Sequence, residues 1–273
     1  MIIKTLVENT CLSKEFRNEH GLSLYIETQK YKILFDVGAS DLFLNNAKKL
    51  NVNIKDTDFL VISHGHSDHG GGLETFLNQN KTAKVLLHQN AFANHYASRS
   101  NGKEEYIGLD QKFGKENQIN FTSNNFMVNE EMMVFSNTVT KVPRPLSNQG
   151  LIIKQGEDVR ADLFDHEQNL IVEENGKLLL ITGCAHNGII NIIEQFKILK
   201  GCMPDYVIGG FHLSSRSGSG EKHETIDKIG EYLIGTKTKY YTCHCTGIKA
   251  YNRLKVIMGD QIEYLSTGSA LTI

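Results

Sequence analysis

Short apolar runs bounded by turn residues open the chain, the pattern expected of strands. Ile3 to Val7, Leu22 to Glu27, Tyr31 to Asp36, Phe59 to Ser63 and Lys84 to Leu87 form a first series. A second series follows at Met132 to Phe135, Leu151 to Lys154, Asn169 to Glu173, Lys177 to Thr182, Tyr206 to Ile208, Tyr240 to Thr242 and Ile262 to Leu265. Between them, apolar residues recur at helical spacing over Leu42 to Leu50, Leu73 to Asn80, Ile189 to Leu199, His223 to Ile234 and Thr246 to Met258. Strand-rich stretches alternating with helices in two similar halves predict a layered α/β sandwich. Ala91 to Asn125 breaks the pattern, being polar, rich in Asn, Lys and Glu, and weakly periodic. It reads as a helical or loop insertion over one end of the sheets, a candidate substrate-selecting lid or a plain surface excursion. Arg99, Lys103 and Lys112 within it are candidates for meeting an anionic substrate.

Chemistry concentrates directly after the apolar run Phe59 to Ile62. His64, Gly65, His66, Ser67, Asp68 and His69 place four metal-capable side chains in six residues, ahead of Gly70, Gly71 and Gly72. Imidazole and carboxylate hold zinc, iron or manganese while leaving coordination positions open. In a tight turn these residues alternate in direction, so His64 and His66 can grip one ion while Asp68 and His69 reach toward a second. A solvated polar loop is the plain alternative, and the strand before the motif with the helical pattern after it argues against that alternative. Three further histidines, His186, His212 and His244, each follow a predicted strand, the position from which open sheets deliver functional side chains.

Composition narrows the partners. A formal charge of -2 over 273 residues supplies no field for a polyanion. The expected partner is a small-molecule substrate, with no nucleic acid and no membrane; a homo-oligomer stays open. The first residues read as a strand rather than a signal peptide, and no stretch approaches the roughly eighteen apolar residues of a membrane span. Five cysteines without framework spacing fit a reducing cytoplasm.

Leu34-Phe-Asp-Val-Gly, Ser63-His-Gly-His-Ser-Asp-His-Gly-Gly-Gly-Leu and the later strand-end histidines together resemble the metallo-β-lactamase superfamily. More narrowly, Glu19-His-Gly-Leu-Ser, Thr182-Gly-Cys-Ala-His-Asn-Gly-Ile, Gly209-Gly-Phe-His-Leu and His244-Cys-Thr-Gly are similar to its 7,8-dihydropterin-6-methyl-4-(β-D-ribofuranosyl)aminobenzene-5'-phosphate synthase branch. The resemblance implies a single domain over residues 1–273, an αββα four-layer sandwich with a metal site at its rim. It makes His64 and His66 ligands of a first metal and Asp68 and His69 ligands of a second, which His244 completes. Asp36 becomes a hydrogen-bonding support of the histidine loop. Commoner members carry a bridging aspartate where this chain has Cys184, and their third histidine falls near His166. In the narrower branch the histidine two residues after that cysteine recurs, so His186 is the remaining first-metal ligand and His166 the alternative. Cys184 either ligates, which favours zinc or iron, or packs as a small buried thiol.

His212 exceeds what two metals need and is assigned to catalysis, with Asp68, or to substrate; ligation is the alternative. Ser214 and Arg216, in a Ser- and Gly-rich run, offer hydroxyls, a guanidinium and amides to an anion, although a surface turn has the same composition. Glu19 and His20 either face the metals as substrate-binding residues or fix the start of a strand. His88, His95 and His223 read as exposed or locally hydrogen-bonded. Cys243 and Cys245 flank His244, and strand alternation points both away from its face.

The implied function is a hydrolase of a phosphoester or related small anionic substrate. Its cofactors are two divalent ions, zinc first and manganese or iron otherwise. Such ions, roughly 3.5 to 4 Å apart, hold a hydroxide at neutral pH that attacks phosphorus or a carbonyl carbon, while His212 protonates the leaving group. The branch implies an alternative, a pyrophosphate-displacing condensation of a dihydropterin with an aminobenzene ribotide. A di-iron redox protein is a third reading, weakened by the absence of a carboxylate-rich second site.

Overall fold

Strand after strand buries apolar side chains on both faces. Lys32–Phe35 sends Leu34 into one hydrophobic cluster and Ile33 and Phe35 into another. Phe59–Ile62 divides Leu60 and Ile62 from Val61 in the same way. In the second half Leu180 and Val207 face one cluster, while Leu179, Ile181 and Ile208 face the other. Side chains alternate across a strand, so a sheet apolar on both faces must be covered on both. Two such sheets satisfy one another across a shared inner cluster, and helices cover the outer faces.

The computed structural model describes residues 1–99, 101–214 and 220–273. One seven-stranded sheet runs, edge to edge, Ala270–Thr272, Ile2–Val7, Ser23–Glu27, Lys32–Phe35, Phe59–Ile62, Lys84–His88 and Ile119–Thr122. The other runs Ile262–Tyr264, Lys239–Thr242, Tyr206–Gly209, Lys177–Ile181, Asn169–Glu174, Met132–Phe135 and Asn125–Met127. Helices Leu42–Lys49 and Leu73–Gln79 cover the first sheet through Phe43, Ala47, Leu73 and Phe76. Ile189–Lys200, His223–Gly235 and Ile248–Met258 cover the second through Ile192, Phe196, Leu233 and Leu254. The result is an αββα four-layer sandwich. Among the described residues, no helix is long and apolar enough to cross a membrane.

Each strand and helix expected from periodicity is present, with ends within two residues of the expected ones. The segment expected to be helix or loop over residues 91–125 is largely loop with a short helical turn at Gln111–Lys115, but it also carries short strands that were not expected. His95–Ser98 and Glu104–Tyr106 join Leu151–Gln155 and Asp158–Ala161 in a third, four-stranded sheet. Ile119–Thr122 and Asn125–Met127 close the edges of the two main sheets. Glu104–Tyr106 and Asp158–Ala161 were illegible because they lack an apolar face, each being exposed along its whole length.

Parallel pairing sets where chemistry collects. Lys32–Phe35, Phe59–Ile62 and Lys84–His88 run parallel in one sheet, and Lys177–Ile181, Tyr206–Gly209 and Lys239–Thr242 in the other. Their C-terminal ends therefore share one rim, where Asp36, His64, Cys184, His212 and His244 are delivered.

Candidate metal centre

Several residues on that rim hold left-handed backbone. Asp36, Ala185, His212 and His244 hold φ values of 61°, 60°, 49° and 51°. Such left-handed conformations cost non-glycine residues about 1–3 kcal/mol each, and they persist where the surroundings over-determine them. The ends of Phe59–Ile62 and Lys177–Ile181 approach closely: a Cβ on Gly183 would lie 2.2 Å from Ser63 Oγ, so only glycine fits.

The imidazoles form two groups. His64 Nε2 lies 3.0 Å from His66 Nδ1 and 3.3 Å from His186 Nε2. His69 Nε2 lies 3.2 Å from His244 Nε2, with Asp68 Oδ2 3.9 Å and 3.6 Å from those two nitrogens. Cys184 Sγ is 3.2 Å from His69 Nε2. Its sulfur falls within 4.8 Å of nitrogens of His64 and His69, of His186 and His212, and of His244 with Cys245. Cys184 thus stands between the groups.

Outward-facing nitrogens fix the tautomers. His186 Nδ1 donates to Asn148 Oδ1 at 2.8 Å, and His244 Nδ1 to Asn9 Oδ1 at 2.8 Å. His69 Nδ1 donates to Asp36 Oδ2 at 2.7 Å. Ser63 Oγ spends its proton on Asp36 Oδ2, so it accepts from His64 Nδ1 at 2.8 Å. With their protons directed outward, His64 and His186 turn Nε2 lone pairs toward each other, an arrangement that a cation relieves. Burial, and after it the neighbouring imidazoles, hold His64, His186 and His244 well below the usual histidine range. Burial dominates for His66 as well. Neutral imidazoles are the form that binds metal.

Around His69 the field demands positive charge. Burial disfavours a charged ring, yet the Asp36 and Asp68 carboxylates outweigh it and lift its pKa to about 9. Burial alone would raise Asp68, but His69, His20 and His244 hold its carboxyl well below the usual range. A divalent cation can replace the proton between these groups. Burial pushes the Cys184 thiol well up, and a bound cation is what would keep it ionised. The donors fall into two groups, each of which could hold a divalent ion: His64, His66 and His186 in one, Asp68, His69 and His244 in the other, with Cys184 within reach of both.

The remaining candidates separate. His20, Ser214 and His212 line the cleft over these groups. His20 Nε2 lies 3.2 Å from Asp68 Oδ2. His212 is buried and neither of its ring nitrogens has a hydrogen-bond partner among the described residues. Glu19 is not among the lining residues; its carboxylate accepts from the Ala39 and Ser40 amides at 3.0 and 3.1 Å and steadies that turn. Arg216 lies outside the described residues. Arg99 lines the cleft but donates to Glu105 at 2.8 Å, whereas Lys103 and Lys112 are exposed. The third sheet supplies one cleft wall through Ala97, Ser98 and Leu151.

Two sequence readings, those of Cys245 and His95, need correction, and the alternatives His186 and His166 separate. Cys245 lines the cleft beside His244, because residues 244–246 form a tight helical turn to which strand alternation does not apply. His166 is committed elsewhere, accepting from the Gly65 amide at 2.9 Å and donating to Asp162 at 3.1 Å, so His186 is the ring beside His64. His95 is wholly buried. The anchoring residues were missed altogether: Glu8 accepts from the His244 amide at 3.0 Å and Glu167 from the His186 amide at 2.6 Å. No local motif marks either.

A profile of the metallo-beta-lactamase superfamily matches residues 17–187. An uncharacterized protein of Methanocaldococcus jannaschii is 32% identical over 258 residues, 93% of each chain. The 7,8-dihydropterin-6-methyl-4-(beta-D-ribofuranosyl)-aminobenzene-5'-phosphate synthase of that organism is 29% identical, covering 98% of this chain and 95% of its own. A crystal structure described as a metal-dependent hydrolase of the beta-lactamase superfamily superposes with a TM-score of 0.83 at 29% identity, over 100% of this chain and 99% of the other. With the profile match spanning the histidine motif and the four-layer fold reproduced end to end, the chain belongs to the metallo-beta-lactamase superfamily.

Proposed function

We propose that the protein is a metal-dependent hydrolase acting on a phosphoester or a related small anionic substrate. The observation that carries this reading is the convergence of two histidine groups on one cleft, with Cys184 between them and His212, without a partner among the described residues, at its wall. Two divalent ions, zinc first and manganese or iron otherwise, would supply a water nucleophile at neutral pH and Lewis acidity toward the substrate oxygen. The chain's own residues do the rest. His20 steadies Asp68, Asp36 holds His69, and Asn148 and Asn9 aim His186 and His244. His212 is set by the Phe211 amide donating to Thr246 Oγ1 at 2.8 Å and by Ser147 donating to the His212 carbonyl. Its free nitrogens suit protonation of a leaving oxygen or a hydrogen bond to a phosphate.

Zinc-loaded protein assayed on phosphomonoesters, phosphodiesters, lactones and thioesters tests this. Turnover of a phosphoester is expected, and His212→Asn should lower kcat by about 10²–10⁴-fold, the usual worth of a general acid. The similarity to the pterin synthase supports a second reading, pyrophosphate-displacing condensation. Silence on every ester, with pyrophosphate released from a dihydropterin pyrophosphate and an aminobenzene ribotide, would favour it.

A further inference from the structure

Behind the first histidine group lies a second buried cluster, His66, His95, Asp162 and His166, with one donor atom of each within 4.8 Å of the others. Its proton positions follow from its hydrogen bonds. Asp162 Oδ1 accepts from the Phe164 amide at 2.7 Å, and Oδ2 accepts from His95 Nδ1 at 3.0 Å and His166 Nε2 at 3.1 Å. The Gly65 amide donates to His166 Nδ1 at 2.9 Å, which agrees with a proton on His166 Nε2. His95 therefore carries its proton on Nδ1 and presents a bare lone pair at Nε2.

Two buried nitrogens in this cluster have no partner among the described residues, His95 Nε2 and His66 Nε2. Their rings are 5.6 Å apart, centre to centre. His66 turns Nδ1 toward His64 Nε2. A ring that ligates through Nδ1 must carry its proton on Nε2, so the two orphaned atoms are a donor and an acceptor. A third metal ion fits poorly, because Asp162 Oδ2 and both His166 nitrogens are already engaged and only two free nitrogens would remain. The backbone is built for closeness here: a Cβ on Gly65 would lie 2.7 Å from His95 Nε2 and 2.2 Å from the Ala91 carbonyl oxygen.

We propose that His95, oriented by Asp162, accepts the Nε2 proton of His66 directly or through one water, and so holds His66 in the tautomer that ligates through Nδ1. His95 and Asp162 are positioning residues for the first ion. The inference rests on His64, His66 and His186 holding that ion. Outer partners of metal-bound histidines typically contribute about 10- to 100-fold in affinity.

Chelator competition on zinc-loaded full-length protein tests it. His95→Phe, which keeps a ring and loses the acceptor, should weaken one of two zinc ions by about 10- to 100-fold and leave the other unchanged. His95→Gln, whose amide oxygen can accept, should recover most of the loss. Equal affinity in the two variants, whether both weak or both native, would overturn the proposal. Nitrogen-15 spectra of the wild-type histidine rings decide independently of whether a variant folds. They should show His66 protonated at Nε2 and His95 at Nδ1, and a proton on His95 Nε2 would overturn the assignment. Failure of the underlying metal reading is distinguishable, since the wild-type protein would then take up no zinc and the relay would fall with it.

Discussion

His64→Ala is expected to reduce the metal content from about two divalent ions per chain to about one, and to lower hydrolysis by on the order of 10³-fold. His64 sits nearest the middle of the first group, with partners at 3.0 and 3.3 Å. His166 is held by Gly65 and Asp162, and His95 points its proton at Asp162. The magnitude follows from what a Lewis acid supplies, several kcal/mol of charge stabilisation at about 1.4 kcal/mol per tenfold in rate. Metal analysis together with single-substrate kinetics checks both halves. A variant that keeps both ions, or keeps native turnover in metal-replete buffer, would contradict the assignment of His64.

Asp36→Ala should cost about 3–5 kcal/mol of stability, the usual range for removing one member of a buried charged pair. Asp36 is wholly buried and accepts from the Ser63 amide, Ser63 Oγ and His69 Nδ1, each at 2.7 Å. Truncation leaves three buried donors without an acceptor, and each such group carries a penalty of about 1–3 kcal/mol. It also frees His69 to turn away from His244 and Asp68, so the second ion should bind more weakly. Asp36→Asn, which keeps one acceptor oxygen, should fall between. Denaturant unfolding with zinc present and absent reads the effect; a loss below about 1 kcal/mol in Asp36→Ala would show that the carboxylate is not the strut described here.

Much of this was legible in the chain. The apolar runs at Phe59 to Ile62 and Lys177 to Ile181 announced strands because both of their faces are buried, and glycine and polar residues marked their ends. The His64–His69 motif and the strand-end histidines His186, His212 and His244 were visible because each follows such a run. What was not legible depends on partners distant in sequence. His95 meets Asp162 across 67 positions and His244 meets Asn9 across 235, and no local pattern records either. Cys245 was misjudged because strand alternation was extended into a turn. The third sheet was missed because strands such as Glu104–Tyr106 and Asp158–Ala161 are exposed along their length and carry no periodic apolar signal.

The central claim is that two opposed sets of nitrogens, bridged in space by Cys184, form a two-ion centre. Inductively coupled plasma mass spectrometry on protein purified without added metal tests it most directly. About two zinc, manganese or iron ions per chain, falling to about one in His64→Ala, is the predicted result. A wild-type protein that holds none, and takes up none on dialysis against zinc, would contradict it.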